Sequence, residues 1–590
     1  MSARLQTWLI AAAAFATIVA VGCGSSAAGD DGIATFPMAG TPTASPKTTV
    51  SFRGDAPAKI TGIVVKGSRS GRHGGTLKPH PDGNGVSFVS KKDFRPGETV
   101  TVDAKQKLVR EKDGVVKFKI AEKAPVGVPT EIRADPAGHP DGEQRFKSSS
   151  LRPLTLKINK RTSKAAPGSI FVAPKAGAGQ DGPIITDATG QVIWSKRVPK
   201  FNSAFDFRVQ QYAGAPHLTW WQGQVFHGQG RGKGYIYDNA YRRAAVVEAG
   251  NGYKADFHEF QLSRDGKTAF LLIYEPVKYD LSSIGGSKNG SVLDGIVQEV
   301  DIKTGIVLFE WHTMGSVSVK ETYAKIPKDA PLDVSHVNSV HEEKDGNLLV
   351  SARDMHAALE LDRRNGKVLW KLGGKDSDYK LSNGAKFVSQ HDIRRDNAGR
   401  VTVFDNGSPP STGRTARGIA LNVNEDDNKV TLKRAFRRKP EFESPSQGNV
   451  QPLPNGNYMI GWGGDVPFFT EFTPSGDVAL DGNFVPETVD TYRTWHMPWT
   501  AQPSKGPDVV AEASGGETDI FVSWNGATEV ARWRVKSGPT PDALLPGKTF
   551  VKKGFETKTT ISGVPTYLAV EALDADGKVL DTSKPVQPQG

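Results

Sequence analysis

The sequence contains a single cysteine, Cys23, among 590 residues. A chain with one cysteine cannot form an internal disulfide, so its stability must come from burial of an apolar core. The sequence also has no long stretch with helical hydrophobic periodicity. Its apolar residues come in short runs separated by turns that are rich in glycine (64) and proline (38). This pattern is typical of many short strands and predicts an all-β protein.

Several motifs with well-known chemistry are missing as well. There is no HxH or HExxH pair of metal ligands and no GxSxG segment around a serine nucleophile. No run of basic residues interleaved with aromatic ones indicates nucleic-acid binding. The net charge of +11 is compatible with an anionic substrate or cell-envelope polymer, or simply with a basic surface. We therefore expect no nucleic-acid partner, no cofactor and no metal.

The first 22 residues have the features of a signal peptide, with Arg4 followed by an apolar stretch and small residues. Cys23 follows in a lipoprotein cleavage box (AVGC), in which its thiol is acylated. Residues 23–47 then form the lipidated cysteine and a flexible tether. We expect an exported protein that is lipid-anchored to the outer face of the cytoplasmic membrane, with plain secretion as the alternative.

Composition and turn patterns divide the remaining chain into four segments. We predict an amino-terminal β-sandwich, a connection, a central repeated domain and a carboxy-terminal β-sandwich, at residues 48–125, 126–165, 166–500 and 508–587. Both sandwiches are expected to be immunoglobulin-like or fibronectin-like.

The central segment repeats a turn that ends in glycine and is followed by an apolar strand. In four copies a marked residue lies eight positions before that glycine, namely His258, Asn338, His391 and Gly448. A second turn follows in each copy, so each unit has four strands, as one blade of a propeller does. The units lie near 170–197, 206–250, 258–311, 336–372, 391–436 and 447–484. The sequence therefore predicts a six-bladed β-propeller.

In a propeller, equivalent positions surround one central channel, so the marked residues should meet at one mouth of that channel. His336 lies two residues before Asn338 and should point to the same side of its strand. Arg353 and Asn406, each seven residues after a turn glycine, could reach the same cavity. His496 could reach its rim. No carboxylate is expected at the equivalent positions, because Glu259 and Asp392 lie on the opposite strand face.

A structural role is the alternative for each histidine, because histidines also support turns within propeller blades. That interpretation is favoured for His341, which has the opposite strand parity, and for His227, His312 and His356. The aromatic residues Trp220, Trp221 and Trp462 are expected in the core.

Histidine, asparagine and arginine together suit the transfer of a sulfuryl or phosphoryl group. A neutral imidazole is a good nucleophile, and an arginine offers a planar fork for the oxygens of sulfate or phosphate. Polar donors stabilise the charge of the transition state. Such transfer depends on positioning and electrostatics and requires no metal.

The same segments resemble the bacterial arylsulfotransferases. The resemblance lies in DFHEFQLSRDG (256–266), HVNSVHEEKDGNLLVSARD (336–354), QHDIRRDNAG (390–399) and QGNVQPLPNG (447–456), and it covers most of residues 50–585. It is strongest to the actinobacterial-type lipoprotein branch with an amino-terminal sandwich.

The resemblance implies a six-bladed propeller that moves a sulfuryl group from a phenolic sulfate ester to a phenol. It implies a ping-pong route through a sulfohistidine, without the nucleotide donor PAPS. The family's nucleophile falls on His391, its HxN pair on His336 and Asn338, its arginine on Arg353 and its earlier histidine on His258. Asn406 and His496 are expected to bind substrate.

Two other functions stay open at this point. One is a non-catalytic propeller that binds envelope glycans or a partner protein, and the other is a metal-dependent hydrolase or lyase. The expected partners are a small phenolic sulfate donor and a phenol acceptor, and the protein is expected to be a monomer.

Overall fold

The computed structural model describes residues 32–110, 112–125, 142–175, 180–408, 413–464, 466–487 and 489–590. The predicted signal peptide and Cys23 lie outside the described residues. Regular structure within these ranges is β, apart from four short 3-10 helices at Pro57–Lys59, Ser282–Ile284, Val319–Glu321 and Arg353–Met355. The prediction of an all-β protein is confirmed. Among the described helices, none is long and apolar enough to cross a lipid bilayer.

Eight strands near the amino terminus form two antiparallel four-stranded sheets. They are β1 (Ala34–Phe36), β2 (Val50–Arg53), β3 (Val64–Gly67), β4 (Gly71–Arg72), β5 (Gly75–Pro79), β6 (Gly85–Ser90), β7 (Thr99–Asp103) and β8 (Val116–Lys119). The sheet orders are β1-β2-β6-β5 and β4-β3-β7-β8. Both sheets contribute to one apolar core that contains Phe52, Val65, Phe88 and Val102.

The expected flexible tether is wrong for its described part, residues 32–47. Strand β1 pairs with β2, and the ring of Phe36 lies 4.9 Å from that of Phe309, centroid to centroid. Met38 is buried in the same cluster, and the Thr43 hydroxyl donates to Asp294 at 2.5 Å. This segment is ordered because its apolar side chains fill a gap between the amino-terminal sheets and the central region.

The central region begins with five strands, β9 (Thr155–Arg161), β10 (Ser169–Val172), β11 (Pro174–Lys175), β12 (Ile184–Thr186) and β13 (Val192–Ser195). β9 lies inside the segment 126–165 that was predicted to be a connection, so that prediction is wrong there. β10, β12 and β13 belong to the sheet that we call sheet 1.

Sheets 2 to 4 follow as successive antiparallel meanders. Sheet 2 contains β14 (Ser203–Tyr212), β15 (Ala215–Phe226), β16 (Gln229–Tyr237) and β17 (Arg243–Val247). Sheet 3 contains β18 (Phe260–Leu262), β19 (Thr268–Tyr279), β20 (Gly290–Asp301) and β21 (Val307–His312), with β22 (Leu332–Asp333) parallel to β20. Sheet 4 contains β23 (Val337–Glu342), β24 (Leu348–Ala352), β25 (Ala357–Leu361) and β26 (Val368–Gly373).

Sheets 5 and 6 complete the series. β27 (Lys380–Leu381) pairs with the last strand of sheet 5, which contains β28 (His391–Arg395), β29 (Val401–Asp405), β30 (Arg417–Asn424) and β31 (Lys429–Phe436). Sheet 6 contains β32 (Asn449–Pro452), β33 (Tyr458–Gly461), β34 (Phe468–Phe472) and β35 (Val478–Val485). The six sheets coincide with the six units that the glycine turns predict.

Strands that are distant in sequence complete the first and last of these sheets. β9 is the fifth strand of sheet 6, where it pairs with β35. β36 (Asp490–Thr491) pairs with β11, and β37 (Trp495–Met497) pairs with β10 as the edge strand of sheet 1. The two ends of the central region are therefore joined by main-chain hydrogen bonds.

Seven strands near the carboxy terminus form two further antiparallel sheets. They are β38 (Asp508–Ser514), β39 (Glu517–Ser523), β40 (Arg532–Gly538), β41 (Leu545–Val551), β42 (Glu556–Ser562), β43 (Tyr567–Leu573) and β44 (Val579–Thr582). The sheet orders are β38-β39-β42 and β41-β40-β43-β44. Ile520, Trp533 and Val570 lie in the core that the two sheets share.

Apolar clusters fill the spaces between neighbouring central sheets. Phe270 of sheet 3 and Val350 of sheet 4 belong to one such cluster. Trp220, Trp221 and Trp462 are completely buried, as expected for core residues.

Candidate functional site

The first strands of sheets 2 to 5 converge at their beginnings, and several are bulged there. The pairing register shifts between Phe205 and Arg208, between Val337 and Ser339, and between His391 and Arg394. Next to these shifts, Asp206, His336 and Asp392 have positive φ angles of 53°, 45° and 52°. A bulge breaks the alternation of side chains along a strand. His391 bonds Asn406 whereas Asp392 pairs with Arg394, so these two consecutive residues belong to different clusters.

Three imidazole rings from sheets 3, 4 and 5 meet at this point, and we call them the histidine cluster. The ring centroids of His258 and His336 are 4.8 Å apart, and those of His336 and His391 are 6.5 Å apart. These residues are separated by 55 to 133 positions in sequence. The structure thus brings together the three histidines that the repeat selected.

Aspartates hold the rings of His258 and His336. Asp256 Oδ1 accepts hydrogen bonds from Nδ1 of His258 at 2.5 Å and from its backbone N–H at 2.8 Å. Asp333 holds Nδ1 of His336 at 2.7 Å and its backbone N–H at 2.8 Å. A carboxylate on Nδ1 fixes the tautomer and ring orientation. Nε2 is then the atom of each ring that remains for chemistry.

His391 is held by an amide instead of a carboxylate. Its Nδ1 lies 2.8 Å from Oδ1 of Asn406, whose Nδ2 donates to the carbonyls of Ser444 and Gln447. Since both amide hydrogens are used on carbonyls, Oδ1 must accept, and His391 carries its proton on Nδ1. The lone pair is therefore on Nε2, which accepts a hydrogen bond from the backbone N–H of Gln447 at 3.1 Å.

The three histidines differ in their affinity for protons. Burial, together with the nearby positive charge of Arg353, lowers the pKa of His391 well below its ordinary value. Burial also lowers the pKa of His258, against the opposing effect of Asp256. Burial alone would do the same at His336, but the charge and hydrogen bond of Asp333 outweigh it and raise its pKa. His336 therefore binds a proton more readily than its two neighbours, and the rings of His258 and His391 favour the neutral form.

Arg353 lies beside the histidine cluster, at the start of the 3-10 helix that follows β24. Its backbone N–H donates to the carbonyl of His336 at 3.0 Å. In the side chain, Nη1 lies 2.5 Å from Asp354 and Nη2 lies 3.2 Å from the carbonyl of Pro445. Nε is buried and has no hydrogen-bond partner within the described part of the chain. The side chains of Arg353 and His336 are 23% and 15% exposed, so solvent reaches the cluster from their side.

Asn338 is completely buried next to His391. Its Nδ2 donates to the carbonyl of Gln390 at 2.8 Å, and its Oδ1 has no hydrogen-bond partner among the described residues. This oxygen is an acceptor, so it could serve only a donor group such as a hydroxyl.

Two of the residues expected to bind substrate are placed differently. Asn406 is buried and uses its amide on His391, Ser444 and Gln447, so it positions His391 and does not face a ligand. His496 lies on β37, where its Nδ1 is 3.1 Å from Glu471 of sheet 6. No contact among the described residues joins His496 to the histidine cluster. Its placement at the rim is wrong, because the chain enters sheet 1 as a strand and carries this ring past the site.

The histidines for which a structural role was favoured are engaged elsewhere. His312 is buried between Asp294 and Glu310, at 2.7 and 3.1 Å. Despite burial, these carboxylates raise its pKa to about 10. The ring of His356 stacks on Tyr323 with centroids 4.1 Å apart. Burial, aided by the charge of Arg394, lowers the pKa of His341 to about 3.

A buried group of three arginines and three carboxylates fills the space where the inner strands meet. This arginine–carboxylate network consists of Asp206, Arg208, Glu259, Asp392, Arg394 and Arg493. The guanidinium of Arg493 lies at the centre of the network. It contacts Asp206 at 2.9 Å, Glu259 at 3.2 Å, the carbonyl of Asn338 at 3.1 Å and Asp392 at 3.5 Å. Glu259 and Asp392 lie in this network and not in the histidine cluster, and the carboxylates beside the histidines are Asp256 and Asp333 instead.

The network is electrostatically uneven. Burial is the largest effect at both Glu259 and Asp206. At Glu259 the charges of Arg394, Arg493 and Arg208 outweigh it and lower the pKa. At Asp206 burial prevails and raises the pKa to about 6. Tyr492 links the network to the site, because its hydroxyl donates to the carbonyls of His258 and Asn338 at 3.1 and 3.3 Å.

Sequence reasoning missed the residues that hold the site together. Asp256 and Asp333 lie two and three positions before their histidines, a short spacing that could have indicated them. Gln447, Tyr492 and Arg493 gave no such signal, because their partners are remote in sequence.

Three side chains near the cluster could in principle hold a cation. Ligand atoms of Asp333, His336 and Asp354 all lie within 4.8 Å of one another. Arg353 already pairs with Asp354, and Nδ1 of His336 is used on Asp333. A metal ion at this point would need the carboxylate of Asp354, which is already paired with the guanidinium of Arg353.

Comparison with known families identifies this region. The model of the family described as arylsulfotransferase (ASST) matches residues 208–485. Residues 208–485 belong to the arylsulfotransferase family. The whole histidine cluster, together with Asn338 and Arg353, lies within this arylsulfotransferase segment.

Other comparisons are more distant. A search of the curated proteins found no match. Among solved structures, a protein of unknown function from Bacteroides caccae aligns with a TM-score of 0.36 and 14% identity, over 56% of this chain and 98% of that chain. A streptogramin B lyase aligns with a TM-score of 0.30 and 8% identity, over 67% and 94%. A virginiamycin B lyase from Staphylococcus aureus gives 0.26 and 12%, over 56% and 83%. TM-scores this low do not establish a shared fold.

Proposed function

We propose that this protein transfers a sulfuryl group from a phenolic sulfate ester to a phenol through a sulfohistidine on His391. The observation that carries the proposal is the convergence of three imidazoles and Arg353 within the arylsulfotransferase segment. Neutral rings, one ring with a raised pKa and a guanidinium are the groups that this chemistry needs. The route requires no nucleotide donor.

His391 suits the role of nucleophile best. Its low pKa keeps it neutral, and Asn406 fixes the lone pair on Nε2. In the first half-reaction Nε2 forms a bond to sulfur while the bond between sulfur and the aryl oxygen breaks. The departing phenoxide takes a proton from Nε2 of His336, whose raised pKa suits a general acid.

The second half-reaction reverses these roles. The acceptor hydroxyl gives its proton to His336, its oxygen attacks sulfur, and the bond between sulfur and Nε2 of His391 breaks. Arg353 and His258 lie beside this path and would stabilise the sulfuryl oxygens. Charge and proton are balanced over the cycle.

The test is incubation with p-nitrophenyl sulfate plus phenol, with nitrophenol release read by absorbance and intact enzyme read by mass spectrometry. The wild type should release nitrophenol and carry one added SO₃ group on His391. His391→Ala should lose both. His217→Ala is the matched control, since that ring lies against the Ala215 carbonyl and Tyr212 in sheet 2, and the substitution should leave both readouts unchanged.

Two outcomes would overturn the assignment. Absence of release by the wild type would reject the activity. Persistence of the adduct in His391→Ala would move the nucleophile to His258 or His336, whose Nε2 atoms are the other candidates.

The overall architecture is part of the same proposal. Sheets 1 to 6 would be the blades of a six-bladed propeller, flanked by amino-terminal and carboxy-terminal β-sandwiches. Contact of Arg493 with four sheets and the closure of sheet 1 by β37 support a ring. Small-angle scattering of the purified protein would test the shape, together with its expected monomeric mass.

A metal-dependent hydrolase or lyase is the second candidate, because Asp333, His336 and Asp354 lie close together. It predicts stoichiometric metal in the purified protein and loss of activity with a chelator. Full activity after chelation would reject it.

A further inference from the structure

A strongly basic pocket lies in sheet 5, away from the histidine cluster. It is lined by Gly384, Lys386, Gly413, Arg414, Thr415, Arg417 and Arg437 and has a volume of about 430 Å³. Four of these seven residues are cationic and none is acidic. A cavity of this size accommodates a small group, not a folded partner or a nucleic-acid duplex.

The two central guanidinium groups of this basic pocket are held in place from behind. Asp405 accepts from Nη2 of Arg414 at 2.9 Å and from Nε of Arg417 at 2.8 Å. The carbonyl of Lys386 accepts from Nη2 of both arginines at 2.7 Å. Arg417 is buried, so its orientation is fixed by these bonds. A preorganised guanidinium loses little entropy when it binds an oxyanion.

The positive charge of the pocket exceeds that of its acidic neighbours. Asp405 is shared between two arginines, and Glu441 lies 3.5 Å from Arg437 while also pairing with Lys439. Within the described part of the chain, the ammonium group of Lys386 has no acidic partner within ion-pair distance. With Lys439 added to the four cationic lining residues, five cations lie near two carboxylates, Asp405 and Glu441. The net positive charge attracts an anion.

Two consecutive residues of the chain serve the basic pocket and the histidine cluster. Asp405, which holds the two arginines, is followed directly by Asn406, which holds His391. The charge of Arg414 is also felt at His356, together with that of Arg353. His356 therefore lies within electrostatic range of both the basic pocket and Arg353 beside the cluster.

We propose that the basic pocket binds an oxyanion group carried by the substrate, such as a carboxylate, phosphate or second sulfate, apart from the sulfuryl group that is transferred. That the oxyanion belongs to a substrate rests on the proposed function. The affinity of the pocket for an oxyanion does not depend on it. Guanidinium forks match the paired oxygens of such groups.

The first arm of the test measures anion binding without catalysis. Calorimetric titration with inorganic phosphate should show saturable binding to the full chain. The double variant Lys386→Gln/Arg437→Gln should weaken it by about tenfold or more. Lys233→Gln/Arg242→Gln, which removes two cations from sheet 2, is the matched control and should bind like the wild type. Equal binding by all three proteins would overturn the proposal.

The second arm measures the acceptor. With p-nitrophenyl sulfate as donor, 4-hydroxybenzoate should have a KM about tenfold below that of phenol, and the Lys386→Gln/Arg437→Gln variant should lose this preference at unchanged kcat for phenol. Phosphate binding without an acceptor preference would show that the pocket takes only free anions and would overturn the substrate part. Phosphate binding in a protein that transfers no sulfuryl group would reject the proposed function and leave the anion site standing.

Discussion

The backbone N–H of Gln447 donates a hydrogen bond to Nε2 of His391 across 3.1 Å. This bond engages the lone pair that would have to attack sulfur. Two residues away, the carbonyl of Pro445 accepts from Nη2 of Arg353. A sulfate group on Arg353 would compete with Pro445 for the same donor. We therefore expect donor binding to loosen residues 445–447 and to free Nε2 in the same event.

Asn406→Ala should reduce kcat for sulfuryl transfer by about 10- to 100-fold, the usual loss when a partner that orients a reactive histidine is removed. Without the amide, the proton of His391 is no longer held on Nδ1. KM for the donor should change little, since Asn406 faces no ligand. Asn422→Ala, at an exposed position of the same sheet, is the control. A wild-type kcat in Asn406→Ala would contradict the positioning role.

The dependence of kcat/KM on pH should be bell-shaped. His391 must be neutral and has a lowered pKa, so the acid limb should lie below pH 6.5. His336 must be protonated and has a raised pKa, so the alkaline limb should lie above pH 6.5. Asp333→Asn removes the charge that raises the pKa of His336 and should move the alkaline limb to lower pH. An unmoved limb would show that another group is the acid.

Arg493→Met should lower the free energy of unfolding by about 3–5 kcal/mol, because it leaves buried carboxylates without their shared cation. The measurement is chemical denaturation followed by tryptophan fluorescence. Lys233→Met breaks an ion pair with Glu248 whose side chains are 43% and 53% exposed, and it should cost at most about 1 kcal/mol. Similar losses in the two variants would contradict the assigned role of Arg493.

Cys23→Ser should release the protein from the membrane. The expected lipid on Cys23 would place the wild type in the membrane fraction until detergent is added, whereas the variant should be soluble after export. Immunoblotting of cell fractions checks this. Equal partition of both proteins would favour plain secretion.

The sequence was informative wherever local signals repeat. The eight-residue offset before a turn glycine located sheets 3 to 6 and selected His258 and His391. It did not indicate that the carboxylates of Asp206, Glu259 and Asp392 converge with three arginines in one buried network, because arginines remote in sequence pair with them.

Long-range pairing accounts for the remaining errors. β9 forms because it pairs with β35, which lies more than 300 residues later in the sequence. No local pattern within residues 126–165 indicates this pairing. Phe36 and Met38 lie in the segment predicted to be a tether, and they are buried because residues of sheets 3 and 4 form the apolar cluster around them.

Sheet 1 acquires its last strand, β37, only from residues 495–497. During synthesis its edge stays unpaired until more than four fifths of the chain has left the ribosome, and Tyr492, whose hydroxyl bonds the carbonyls of His258 and Asn338, arrives no earlier. A translation product that stops short of this point would contain all three histidines without Tyr492 and Arg493, which contact the segments that carry them. Late closure would also keep the nascent chain incompletely folded during the export that its first 22 residues predict.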